Sequence, residues 1–174
     1  VAQMNTEIAT NAFLKSILYL LRETFEGSPA GQGSAYLDRG VGFLETLENL
    51  SAAQVSREFG GTTVAAQTEH AKFYLDRLCE FMTGRTEKVN WEQSWLIETV
   101  NETEWDALRA GARKSYEAAL RCFAQIEEWN EDNVGEAIAI IAHTAYHLGA
   151  IRQIMKSALA VENNSAAAQN SQSK

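Results

Sequence analysis

Apolar residues return every three or four positions along four stretches of this chain, and that spacing predicts four amphipathic helices. Ile8, Ala12, Phe13, Ile17, Leu20, Leu21 and Phe25 line one face of the first, over 6–26, with Asn5 or Thr6 as its N-cap. Val64, Ala71, Leu75, Leu78 and Met82 mark the second, from 62 to the terminating Gly84. Trp105, Leu108, Ala112, Ser115, Ala119, Cys122 and Ile126 step by three and four in the manner of a bundle seam. The fourth helix is expected over 134–160, capped by Asn133 with Glu136 three residues later. A short polar turn at 129–132 predicts that the third and fourth helices are antiparallel neighbours.

Between the first two helices lies a long connection crowded with glycines and holding the only proline, Pro29. One short helical piece over 43–50 is expected within it, followed by a capping box from Ser51 to Gln54. A second loop carries Trp91 and Trp95. No run alternates with period two and β-branched enrichment, so strands are not expected. The predicted architecture is all-α: a four-helix bundle over 1–161 with a long crossover between helices one and two. The polar stretch 162–174 has nothing to bury and is expected as a disordered tail.

Composition narrows the function classes. The 174 residues suit one domain, and 45% hydrophobic with 22% charged is the balance of a soluble globular chain. The formal charge of −8 argues against nucleic acid and anionic lipid as partners. No stretch approaches the roughly 18–20 uninterrupted apolar residues of a membrane span, and no basic segment with a following apolar run opens the chain. A cytoplasmic protein acting on a small molecule, with no membrane partner, is expected. Cys79 and Cys122 are too few for a disulfide framework and read as inert buried thiols.

The three histidines carry the chemistry. His143 and His147 stand four apart on the fourth helix, which puts both imidazoles on one face within reach of one metal ion. Ile140, Thr144, Ile151 and Ile154 share that stripe, so the rings should point into the bundle. Two buried imidazoles that find no partners cost about 1–3 kcal/mol per orphaned group, whereas one divalent ion satisfies both. The plainer reading is a pair of hydrogen-bonded core histidines, and spacing alone leaves a third ligand unassigned. His143-Thr-Ala-Tyr-His147 lacks the glutamate that follows the first histidine in H-E-x-x-H peptidases. No Glu-x-x-His occurs, which excludes a ferritin-like di-iron site, and three histidines are too few for a haemerythrin-like one. A mononuclear three-histidine site with one or more open positions remains, of a kind that suits Zn, Ni, Fe or Cu.

The stretch 62–75 around His70, the pairs Asn90-Trp91 and Ser94-Trp95, Glu104-Trp105-Asp106, and His143-Thr-Ala-Tyr-His147-Leu-Gly149 together resemble the DinB/YfiT-like superfamily. The likeness covers most of residues 5–160, and its most specific element is one histidine on the second helix with His-x-x-x-His-x-Gly on the fourth. The resemblance implies a four-helix bundle holding a divalent metal, nickel or zinc first and iron as the remaining option, on His70, His143 and His147. It also implies a homodimer. Many relatives carry a further histidine one turn before the helix-two ligand, where this chain has Gln67. Relatives of known activity include transferases and isomerases that use low-molecular-weight thiols. The expected function is therefore a metal-dependent thiol S-transferase or small-molecule hydrolase, and the alternative is a non-catalytic metal- or ligand-binding dimerisation module. A third reading, a protein-interaction domain with three satisfied core histidines, predicts no metal. Gln67, Tyr74 and Glu136 are candidate pocket residues because helical spacing sets each near the face of a ligand. Each also has a plainer role: Tyr74 as core, Glu136 as the cap partner of Asn133, Gln67 as a solvent-facing residue. Trp91 and Trp95 either line a pocket mouth or cover the core.

Overall fold

The computed structural model describes residues 10–29, 31 and 33–172. Six α-helices are present among them: α1 (Thr10–Glu26), α2 (Phe43–Leu47), α3 (Ala52–Val55), α4 (Val64–Met82), α5 (Glu102–Gln125) and α6 (Glu131–Gln172). A 3₁₀ turn, Trp91–Trp95, sits between α4 and α5, and there is no strand among the described residues. The all-α expectation holds, with α1, α4, α5 and α6 as the four long helices. The expected N-cap of the first helix lies outside the described residues.

Local chemistry explains the boundaries. Thr63 caps α4 by accepting a hydrogen bond from the Ala66 amide, and Gly84 follows the helix with φ +100°. Asn101 and Glu104 form a reciprocal capping box at α5, and Ser51 with Gln54 forms the expected one at α3. The piece expected over 43–50 is α2, which ends at Leu47, and the expected Ser51 capping box opens a further short helix, α3. At α6 the expectation is corrected. Asn130, not Asn133, caps the helix, its Oδ1 accepting from the Asn133 amide at 2.9 Å. Glu136 therefore plays no part in that cap. The α6 backbone stays helical through Gln172, past 160 where the apolar period ends. Its sequence beyond 160 has no glycine or proline to break it and includes three consecutive alanines.

Helix α4 packs along both α5 and α6, α1 packs on α6, and α2 sits between α1 and α5. The close pairing of α5 with α6 expected from their short connection does not form. The connection carries Trp129, whose ring lies edge-on to Phe13 of α1 and Phe123 of α5, at 6.0 and 5.5 Å between centroids. Leu21, Phe25, Phe43, Leu75, Ile140, Leu148 and Ile151 are among the fully buried core residues. Phe25 stacks on Tyr116 at 4.7 Å, which ties α1 to α5. The α5 seam is as predicted through Cys122, each of its residues from Trp105 being buried. By length and composition alone, residues 131–160 of α6 would cross a bilayer; here the buried side of that stretch, with Ala137, Ile140, Leu148, Ile151 and Ile154, joins the core.

The crossover is fastened rather than loose. Gly42 passes so close to the end of α1 that a Cβ there would stand 2.3 Å from the Gly27 nitrogen. Glu23 on α1, 1% exposed, accepts hydrogen bonds from the Ser34 hydroxyl and the amides of Ala35, Tyr36 and Leu37. Further along, the fully buried Trp105 donates its indole N–H to the Leu50 carbonyl at 2.7 Å. Trp105→Phe leaves that carbonyl without its donor and opens a void, and should lower unfolding free energy by about 2 kcal/mol. Urea denaturation checks this: the midpoint falls while the slope stays unchanged.

Candidate metal centre

Two helices and the 3₁₀ turn build the site. α4 contributes His70, α6 contributes His143 and His147 one turn apart, and the turn brings Ser94 and Trp95 over His70. The ligating nitrogens of the three histidines lie within 4.8 Å of one another. His143 Nε2 is 3.2 Å from His70 Nε2 and 3.2 Å from His147 Nε2. His147 is 3% exposed, and His70 and His143 are half-buried.

Hydrogen-bond partners assign the protons. The Ser94 hydroxyl donates to the Trp91 carbonyl at 2.6 Å, so its oxygen accepts from His70 Nδ1–H at 2.7 Å. Gln67 donates its amide to Thr62 Oγ1 at 3.0 Å, which turns its carbonyl oxygen toward His147 Nδ1 at 2.6 Å. Both Nδ1 atoms are thus donors, and both Nε2 atoms carry bare lone pairs aimed at His143 Nε2. A neutral His143 can offer a proton to one of them at most. Its own Nδ1 is buried with no hydrogen-bond partner. Either tautomer leaves at least one Nε2 lone pair without a donor, and one cation accepting all three Nε2 lone pairs would remove that conflict, though not the one at Nδ1. Metal–nitrogen bonds of about 2.05 Å can span the two 3.2 Å edges at His143, so the three residues could hold a divalent ion.

The electrostatics agree with that donor set. Burial, together with the neighbouring imidazoles, pushes His147 down to about 3 and His143 down to about 4, and burial lowers His70. All three are neutral near pH 7. Aromatic rings cover their faces: Trp95 stacks on His70 at 3.9 Å and Tyr74 on His143 at 3.6 Å.

The three pocket candidates separate. Gln67, 8% exposed, holds His147 and does not face solvent. Tyr74 is a packing ring on His143, its hydroxyl pKa raised by burial and by the charge of Glu136. Glu136 lies two turns before His143 on α6 and has no hydrogen bond to the histidines, and burial with the nearby Asp132 raises its carboxyl pKa. Ser94 entered the sequence reading only within the Ser94-Trp95 pair, with no role assigned; a serine in a tryptophan-rich loop gives no sign that it will partner His70. The cysteines stay apart from the site: Cys79 and Cys122 are free, with Cys122 Sγ 3.8 Å from the Cys79 carbonyl. Compared with family models, curated proteins and solved structures, the chain finds no match in any of the three.

Proposed function

We propose that this chain is a mononuclear metalloprotein and that its three-histidine centre serves a metal-dependent reaction of a small molecule, either thiol S-transfer or hydrolysis. The observation that carries the metal reading is the convergence of three Nε2 atoms, His143 Nε2 standing 3.2 Å from the bare lone pairs of both His70 and His147. The choice of reaction rests on the resemblance of residues 62–75 and 143–149 to the DinB/YfiT-like superfamily. Three imidazoles suit zinc, nickel, iron or copper, and the resemblance puts nickel or zinc first, with iron next. A divalent ion held by three neutral ligands supplies a Lewis acid that favours the anionic form of a thiol or water at neutral pH. The chain's own residues orient and shield. Gln67 and Ser94 fix two ring orientations through their Nδ1 protons, as partners behind metal ligands do. Tyr74 and Trp95 keep water off the faces of His143 and His70.

Elemental analysis of untagged protein supplied with nickel or zinc tests the metal: about one ion per chain is expected. Absence of stoichiometric metal overturns the reading. For the reaction, conjugation rates with a panel of low-molecular-weight thiols and electrophiles should fall to background in His70→Ala, and equal rates would remove the triad from that chemistry.

A further inference from the structure

Five large rings are exposed among the described residues; Tyr36 and Phe59 lie apart from the histidines, and the other three do not. Trp91, Trp95 and Tyr146 are 40%, 43% and 73% exposed, and all three border the histidine cluster. Trp95 lies flat on His70 and reaches to 6.1 Å of His147. Tyr146 stands edge-on to His147 at 5.0 Å. Trp91 leans on Tyr74 at 5.4 Å, and Tyr74 in turn stacks on His143. Each ligand is thus flanked, directly or through one ring, by an exposed aromatic side chain. Core packing does not require this, since the buried members of the site, Gln67, Ser94 and His147, already close its inner side. Scattered exposed rings need no explanation, but three of five gathered about one histidine cluster do.

We propose that Trp91, Trp95 and Tyr146 form an aromatic subsite that selects ligands in which a flat apolar body is joined to an anionic, metal-binding group. This rests on the metal reading above and adds the substrate class. Three neutral imidazoles leave a divalent ion's charge uncompensated, so the donor group of the ligand is anionic. The rest of the ligand then meets ring faces. Trp95 has one face stacked on His70 and is 43% exposed as a residue, and an exposed indole rewards stacking over ion pairing.

The test uses the full chain loaded with cobalt(II), whose visible spectrum reports a carboxylate reaching the ion, with calorimetry for affinity. Acetate, cyclohexanecarboxylate and naphthoate are the probes. Naphthoate should bind about tenfold tighter than acetate, with cyclohexanecarboxylate between them. Tyr146→Ala and Trp95→Leu should each shrink the naphthoate-to-acetate ratio to about threefold or less, at unchanged cobalt content by elemental analysis. If Trp95→Leu fails to load, the far more exposed Tyr146→Ala decides. Equal affinity for the three probes in cobalt-loaded protein overturns the subsite and leaves the metal reading intact, as does a preference that neither variant alters. A chain that takes up no cobalt overturns the metal reading itself, and the subsite with it.

Discussion

His143→Phe abolishes stoichiometric metal binding and, without metal, leaves a protein at least as stable as the unsubstituted chain. Both halves follow from the same geometry. The substitution removes the one nitrogen that faces both other Nε2 atoms, leaving two donors from different helices. Affinity should drop by more than about 100-fold, beyond the 10- to 100-fold that loss of a partner behind a ligand costs. Gln67→Leu supplies that smaller loss, because it frees the His147 ring without removing a ligand. Stability separates a metal site from a cluster of satisfied core histidines. Phenylalanine keeps a ring against Tyr74 while deleting a buried, partnerless Nδ1 and the crowding of lone pairs. Thermal melts read the outcome. Free metal at a thousandfold over its Kd should stabilise the wild type by about 4 kcal/mol and the variant not at all. If metal-free His143→Phe unfolds several degrees earlier and metal shifts neither protein, the histidines are structural.

How far the sequence foretold this arrangement depends on how local each signal was. The seam from Trp105 to Cys122 and the His143/His147 spacing belong to single helices, where the 3.6-residue period alone decides which residues share a face. The convergence of His70 on that pair is a contact between helices, and only the family resemblance pointed to it. Gln67 stayed between a pocket role and a solvent-facing one for the same reason: α4 turns it toward α6, and no spacing within α4 reveals the His147 waiting there. The Asn133 cap failed by one turn because Asn130 is an equally good capping residue and lies closer to where the connection ends. The α5 to α6 pairing failed because loop length alone does not choose neighbours: α4 packs along both helices, and Trp129 of the connection lies on Phe13 of α1 and Phe123 of α5. The family, the reaction, the metal's identity and a dimer concern what binds to this chain, and they stand as proposals on residue patterns.

Glu23→Gln should cost about 3 kcal/mol of unfolding free energy at neutral pH, although Glu23 reads in sequence as one more charge on an amphipathic helix. Its carboxylate is 1% exposed and has no basic partner among the described residues; what holds it is a set of donors from 34–37 in the crossover. Burial works to raise its pKa, but the Ser34 hydroxyl and the amides of Leu37, Tyr36 and Ala35 overcome that and bring it down to about 2. A carboxyl depressed in the folded state stabilises above its unfolded pKa and stops doing so as pH falls through the folded one. The contribution is therefore complete above about pH 5 and declines toward about pH 2. Glutamine is neutral throughout and turns an amide N–H toward groups that are themselves donors. The gap between the two proteins in urea denaturation should be widest at neutral pH and narrow steadily on acidification. A gap that stays constant with pH would show that the side chain acts by shape and not by charge. A gap within about 0.5 kcal/mol at neutral pH would mean that the crossover is held elsewhere, by the Gly42 approach and the Trp105 bond to Leu50.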